Sequence, residues 1–362
     1  MGRRLTFWLK RILIGIALLI AALVLIGLAS IEIIEGRQTS STRIDTENGI
    51  ESQEFVELGG VSQSIYLRGQ DQDKPVLLFL HGGPGGPSTP MARDFGLRLE
   101  EHFVVVHWDQ RGAGNSCASD IPNASLNLEQ YLADTLQLVN LLRNRFHTEK
   151  IFLVGHSWGS VLGVITVERH PELFHAYVGM GQVVNMVRNE EISYRFVVDR
   201  AEQEGNEKAT RELATIHPPY SSPEDLMLQR SWLGHYRGDF LAGGALEKFA
   251  LAILFSPEYT LQKKFSFYSC MLNSLDQAWS DLDNINFIET ANRLDLPVFF
   301  FAGRHDYNTP FELVEEYFEA LEAPSKEFIW FENSAHSPNL EEPARYQEIL
   351  IEKVLPIASS QG

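Results

Sequence analysis

A strand-like run at residues 150–154, apolar after Lys150, leads into Gly155-His156-Ser157-Trp158-Gly159, and a helix-like stretch at 160–164, apolar after Ser160, follows at once. A strand, a turn holding one serine between two glycines, then a helix is the pattern of a nucleophile elbow. Such a turn forces the serine into a strained backbone conformation, and a Cβ at either glycine would collide with the neighbouring strand or helix. The pattern predicts a sheet with Ser157 raised above the end of one strand. Gly-x-Ser-x-Gly also fits an ordinary strand-to-helix turn, so the rest of the chain has to decide between them.

The surrounding sequence alternates strand-like and helix-like signals. Residues 54–58 and 62–68 read as an opening pair of strands, and 76–80, 103–108, 151–154 and 176–179 as buried strands. Between them, 126–146 and 161–169 carry apolar residues at helical spacing, which predicts an α/β fold with a mainly parallel sheet. The alternation stops near Gln182. Residues 183–293 are polar, helix-like and rich in aromatics, Trp232, Tyr236, Phe265, Phe267 and Tyr268 among them, most of which are expected in the core of this block. Strand-like runs return at 297–301 and 327–331, and an amphipathic helix is expected over 342–354. The division expected is therefore an α/β unit over 53–182 and 294–362, interrupted by a helical insertion at 183–293.

The N-terminus is of another kind. Residues 12–31 carry no charge, and 20 helical residues at about 1.5 Å each span roughly 30 Å, the thickness of a bilayer core. Arg3, Arg4, Lys10 and Arg11 precede this run and Glu32 and Glu35 follow it, which predicts a single-pass anchor with a cytoplasmic N-terminus and an extracytoplasmic body. A cleaved export signal is the alternative, because Gly27-Leu28-Ala29 offers small residues at peptidase spacing. Residues 1–34 are taken as the basic end and anchor, and the Ser-, Thr- and Glu-rich 35–52 as a tether.

Removing the four positive charges of the first 31 residues from the net −18 leaves −22 on the remainder, which argues against nucleic acid or an anionic membrane as a partner. Cys117 and Cys270 are the only cysteines, too few for a disulfide scaffold and unsuited to a metal site. Two buried free thiols are the plainer reading, with a bridge between distant segments as the alternative outside the cytoplasm. Asn123-Ala124-Ser125 matches a glycosylation sequon.

A serine hydroxyl needs a base within hydrogen-bond reach and a third group to orient that base. One strand-like run, Phe299-Phe300-Phe301, leads to a turn ending at Asp306, and the next, Phe328 to Phe331, leads to a loop ending at His336. The order Ser157, Asp306, His336 is that of α/β-hydrolases. His305 is the nearest rival base, but it adjoins Asp306 and adjacent residues cannot easily orient one another. Donors for an oxyanion are expected from the backbone amide of Trp158, after the serine, and of Gly83 in His81-Gly82-Gly83-Pro84-Gly85-Gly86. A histidine base of ordinary pKa predicts activity that falls below about pH 6.

Three blocks together carry a family resemblance: His81-Gly82-Gly83-Pro84-Gly85, Trp108-Asp109-Gln110-Arg111-Gly112-Ala113-Gly114-Asn115-Ser116 and Gly155-His156-Ser157-Trp158-Gly159-Ser160. The chain resembles the proline iminopeptidase family of α/β-hydrolases over roughly 55–182 and from 297 to the end. The resemblance implies Ser157 as nucleophile, Asp306 as orienting acid, His336 as base, and Gly83 and Trp158 as the oxyanion hole. It implies that the 109–116 loop buttresses that hole, with Asp109 and Arg111 as structural partners, and that 183–293 is a helical cap. Family members bind the substrate's free amino terminus with carboxylates, mainly from the cap. Glu190 and Glu191, with Glu202 and Glu204 behind them, are candidates by residue type alone, against a solvated helix face.

The function expected is a serine hydrolase that releases N-terminal residues from small peptides. An esterase or amidase acting on a small apolar acyl substrate with the same triad is the alternative. No metal or organic cofactor and no obligate protein partner is implied.

Overall fold

The structure, a computed structural model, describes residues 2–360 apart from Leu97, Ser221, Gly243 and Gly244. Eight strands form one sheet: β1 (Ile50–Leu58), β2 (Val61–Gly69), β3 (Val76–Leu80), β4 (Val104–Asp109), β5 (Ile151–His156), β6 (Phe174–Met180), β7 (Val298–Gly303) and β8 (Lys326–Phe331). Their spatial order is β1-β2-β4-β3-β5-β6-β7-β8. The β1–β2 and β2–β4 pairs are antiparallel, and every pair from β4 to β8 is parallel.

The apolar runs at β3, β5 and β7 are continuous because these strands are covered on both faces. Leu78, Leu80, Leu153 and Phe300 face a core completed by α2 (Leu128–Arg145), α3 (Trp158–Arg169) and part of α9 (Phe311–Ala320). Their neighbours Leu77, Phe79, Phe152 and Phe301 face a second core closed by Tyr346 and Ile349 of α10 (Pro343–Ile349) and by Leu350 and Val354 beyond it. The helix expected over 342–354 is thus α10 followed by a wider π-helical turn at Leu350–Val354.

Between β6 and β7 run α4 (Met186–Gln203), α5 (Glu207–Leu213), α6 (Pro223–His235), α7 (Ala245–Phe255) and α8 (Leu261–Ala278). Asn185, Ser222 and Thr260 cap α4, α6 and α8 by accepting from backbone amides three residues on. Val197, Leu213, Trp232, Leu233 and Tyr236 form a core of their own within this block. Phe265 and Tyr268 of α8 depart from the expectation and are exposed.

At the N-terminus, α1 (Gly2–Ser41) is one helix, and its Lys10–Ser41 portion is long and apolar enough to cross a membrane. The tether expected over 35–52 is not a loose connector. The helix continues to Ser41 and β1 starts at Ile50, and the short link between them is bonded to the body: Arg68 Nη2 of β2 donates to Thr42 O (2.5 Å), Arg93 Nη1 from the segment after β3 to Thr42 Oγ1 (2.6 Å) and Ile44 N to Glu51 Oε2 of β1 (3.1 Å).

The cysteines are not free thiols. Cys117 and Cys270 are joined by a disulfide with Cα atoms 6.1 Å apart, a separation such a bond requires. The bridge spans 153 residues of sequence, and it forms because α8 packs on the turn at Gly114–Ser116, which spacing along the chain does not reveal.

Candidate active site

The parallel strands end on one side of the sheet, where crevices form in open α/β folds. Ser157 follows β5 there with φ +54° and ψ −122°, the strained elbow conformation. Both glycines of the motif meet a wall. A Cβ on Gly155 would stand 2.5 Å from Gly159 O, and one on Gly159 would stand 2.1 Å from Leu80 O at the end of β3. Ser157 N donates to Met180 O (3.0 Å), and Ser160 Oγ donates to Ser157 O (2.6 Å) while accepting from Val183 N (3.0 Å). The elbow is thereby bonded to the chain leaving β6.

Asp306 follows β7 and His336 follows β8, both buried. Asp306 Oδ1 accepts from the amides of Asn308 and Thr309, both at 2.9 Å, while Oδ2 takes Thr309 Oγ1 at 2.8 Å and His336 Nδ1 at 3.0 Å. An ionised carboxylate only accepts, so Nδ1 carries the proton and Nε2 keeps its lone pair. Burial disfavours the imidazolium, but the Asp306 carboxylate, its hydrogen bond and Asp239 outweigh that and raise the His336 pKa above 6.5.

Gly181 lies against the His336 ring, 2.8 Å from where its Cβ would be to Cε1, and it directly follows Met180, the acceptor of Ser157 N. His156, next to Ser157, sits 4.8 Å from the His336 ring centre to centre, with its Nε2 3.0 Å from His336 O. Ser157 and His336 therefore flank one short segment of backbone. No hydrogen bond joins Ser157 Oγ to His336 among the described residues. Catalytic hydrogen bonds are often loose before substrate binds.

The two candidate oxyanion donors share a brace. Gln110 N donates to His81 Nε2 (3.1 Å), Gln110 Nε2 to His81 O (3.2 Å), and Gln110 Oε1 accepts from Trp158 Nε1 (2.9 Å). His81 Nδ1 then donates to Gly82 O (2.7 Å), and burial lowers the His81 pKa to about 4, so the ring stays neutral near pH 7. One glutamine thus holds both the glycine loop carrying Gly83 and the indole of Trp158, whose amide opens α3 without an intrahelical partner. Asp109 and Arg111 are both buried and held by structural partners. Asp109 binds Thr89 Oγ1 (2.5 Å), Asn115 N (2.9 Å) and Tyr259 OH (2.9 Å), and Arg111 forms a buried pair with Asp134 (2.8 Å).

The four candidate glutamates separate. Glu191, Glu202 and Glu204 are exposed. Only Glu190 turns inward, 5 % exposed, with Oε1 2.6 Å from Arg230 Nη2 and 3.1 Å from Asn189 Nδ2. Glu190 Oε2 and the Tyr220 hydroxyl are buried without a hydrogen-bond partner. Asn189 Nδ2 also donates to Asn308 O (2.8 Å), and Asn308 Nδ2 to Asp239 Oδ1 (2.9 Å), while Asp239 O accepts from His336 N (3.0 Å). Glu190, Arg230 and Asp239 therefore adjoin the His336 side of the site. Reading the sequence missed Arg230, Asp239, Gln110 and Gly181, since each becomes relevant only through a neighbour distant in the chain. Among the described residues, no group of three or more His, Cys, Asp or Glu side chains is placed to hold a metal ion.

The model of the alpha/beta hydrolase family matches residues 77–349. The chain belongs to that family. It is 33% identical over 305 residues to the probable aminopeptidase YbaC of Bacillus subtilis, covering 82% of this chain and 93% of the relative. It is 23% identical to the proline iminopeptidase of Lactobacillus delbrueckii subsp. lactis over 305 residues, 83% of this chain and 96% of that one. Among solved structures, the proline iminopeptidase of Mycobacterium smegmatis superposes with a TM-score of 0.60 at 19% identity, covering 86% of this chain and all of that one. This member of the family resembles the proline iminopeptidases in particular, as its three sequence blocks imply.

Proposed function

We propose that this α/β-hydrolase is a serine aminopeptidase of proline iminopeptidase type, releasing N-terminal residues from small peptides through an acyl-enzyme. The observation that carries this reading is the His336 to Asp306 hydrogen bond, which leaves Nε2 as the free base of a ring packed against His156, the residue before the strained Ser157. Ser157 Oγ attacks the carbonyl carbon as His336 Nε2 takes its proton, and the amides of Gly83 and Trp158 receive the oxyanion. The imidazolium, steadied by Asp306, gives that proton to the departing amine. Water then repeats the sequence on the acyl-enzyme and returns Ser157.

Glu190 pairs with the Arg230 guanidinium through Oε1 alone, and its buried Oε2 has no other partner, which makes that oxygen the candidate acceptor for a substrate ammonium. The helical block at 183–293 would be the cap that carries this recognition, over a catalytic unit formed by 53–182 and 294–362. The names of the relatives agree with a peptide substrate. A second reading, an esterase or amidase, is favoured by Glu190 Oε1 being already held by Arg230. Hydrolysis of prolyl- and alanyl-anilides beside their N-acetylated forms and a short-chain nitrophenyl ester distinguishes the two. Cleavage abolished by acetylation is expected, with Glu190→Gln lowering kcat/KM for the free amines about tenfold to a hundredfold, the loss of one charged hydrogen bond. Ester turnover alone would establish the second reading.

The pH profile follows from His336. Only the neutral imidazole accepts the serine proton, and its pKa is raised, so kcat/KM should begin to fall already as pH drops through a midpoint above 6.5, not below 6. Asp306→Asn removes the two largest influences that raise the pKa, keeping Asp239, and leaves burial and Arg230, which lower it. That variant should lose about 10⁴ in rate and move its acid limb to lower pH. A limb that stays in place would show that another group titrates.

The same proposal places α1 across a membrane, N-terminus in the cytoplasm and catalytic body outside. The charge asymmetry around residues 12–31 supports this orientation, and the Cys117–Cys270 disulfide fits a non-reducing compartment.

A further inference from the structure

The exposed apolar residues of α7 and α8 lie beside the exit of α1. Helix α7 packs against α1, and the Lys264 ammonium of α8 is bonded both to Glu35 of α1 and to Leu254 O of α7 (2.9 Å). Three helices thus meet at one lysine whose side chain is 4 % exposed. The Thr42 and Ile44 contacts to Arg68, Arg93 and Glu51 tie the residues after α1 to the body, beside the Glu35–Lys264 pair. Around this junction Leu251 (51 %), Leu254, Leu261 and Phe265 (83 %) are exposed, with Tyr268 one turn further on. Apart from Glu247 and Lys248, α7 is entirely apolar. A large aromatic left this bare in a cluster of leucines marks an interaction surface.

The depth of that surface follows from the sequence of α1. The uncharged run ends at Ile31, and Glu35 lies four residues on, about 6 Å along the helix. That distance is comparable with the roughly 5–7 Å of headgroup region on one side of a bilayer. Lys264, bonded to Glu35, is then at headgroup level, and the apolar side chains around it face the boundary with the acyl chains. Interfacial helices and aromatic belts bury their apolar faces at this depth.

We propose that the α7–α8 face is a second membrane contact, lying in the interfacial layer of the bilayer that α1 spans. This rests on the reading of α1 as a membrane anchor. The occupant is lipid, because the patch is continuous with the anchor's own bare surface and is held beside it by the Glu35–Lys264 pair. The attraction is apolar, so it requires no anionic lipid and is compatible with the acidic body. Helix α8 also lies against the glycine loop of the candidate active site, since a Cβ on Gly85 would stand 2.9 Å from Met271 Cα and from Ser274 Cβ. The contact therefore sets the height of that site above the membrane.

The test uses the full-length chain in vesicles of neutral phosphatidylcholine containing an alkyne-tagged analogue, with a benzophenone amino acid at position 265, at Leu23 in α1, or at the exposed Val187 on α4. Turnover of a water-soluble anilide, unchanged by replacing an exposed residue, verifies that each variant is folded. Position 265 is expected to label lipid at a yield comparable with position 23, with position 187 at background. Labelling at 23 with 265 no stronger than 187 overturns the second contact while leaving the anchor intact. No labelling at 23 overturns the anchor reading, and the proposal with it.

Discussion

Replacing Ser157 by alanine lowers kcat by roughly 10⁵- to 10⁶-fold, the scale of losing the nucleophile of a serine hydrolase, and leaves the thermal midpoint nearly unchanged. The two halves of this expectation have separate causes. Ser157 Oγ makes no hydrogen bond to His336 before substrate binds, so its removal takes little from the folded state. The backbone strain at φ +54° is the same for alanine as for serine, because both carry a Cβ. The elbow is held by backbone contacts, Ser157 N to Met180 O and Ser157 O to Ser160, which the substitution keeps. Anilide turnover, labelling by a fluorophosphonate and circular-dichroism melting measure the three consequences. A variant that melts normally and retains activity would remove Ser157 from the mechanism.

Gly159→Ala is expected to do the reverse and destabilise the fold by more than about 3 kcal/mol. The added Cβ would stand 2.1 Å from Leu80 O, 2.6 Å from Leu80 C and 2.7 Å from His81 O, all of them backbone atoms. No side chain can rotate away, so either β3 shifts in the sheet or α3 lifts from it. Both displacements also disturb the bonds by which Gln110 ties His81, at the start of the glycine loop, to the Trp158 indole. Gly234 on α6 serves as the control, because nothing lies within 4 Å of a Cβ placed there. Alanine at that position should add up to about 1 kcal/mol of helix propensity. Urea unfolding, read as a midpoint shift at constant slope, distinguishes the two substitutions.

The elbow, the strands and the order Ser157, Asp306, His336 are legible because each depends on residues adjacent in the chain. A buried parallel strand must be an unbroken apolar run, and the turn after it must carry the residue that the strand presents. β3 falls at 76–80 as expected, whereas β5 runs two residues past its expected C-terminal end and β6 starts two residues before and ends one residue after its expected span, since ladder pairing with neighbours extends a strand past its apolar run. The four glutamates of α4 and the residues after it were indistinguishable by type. Only packing against Arg230 and Asn189 turns Glu190 inward and leaves Glu191 in solvent.

By itself, the sequence determined the layer architecture, the apolar helix at the N-terminus and the strand ends that carry Ser157, Asp306 and His336. The tertiary structure alone decided the Cys117–Cys270 bond, the joining of the Gly83 loop to Trp158 through Gln110, the pairing of Glu190 with Arg230 and the contacts of α1 and its link through Lys264 and Thr42. The reason is range. Periodicity, turn chemistry and close glycine contacts act over a few residues and are written in consecutive letters, whereas these bonds join groups that only the packing of helices on the sheet brings within reach.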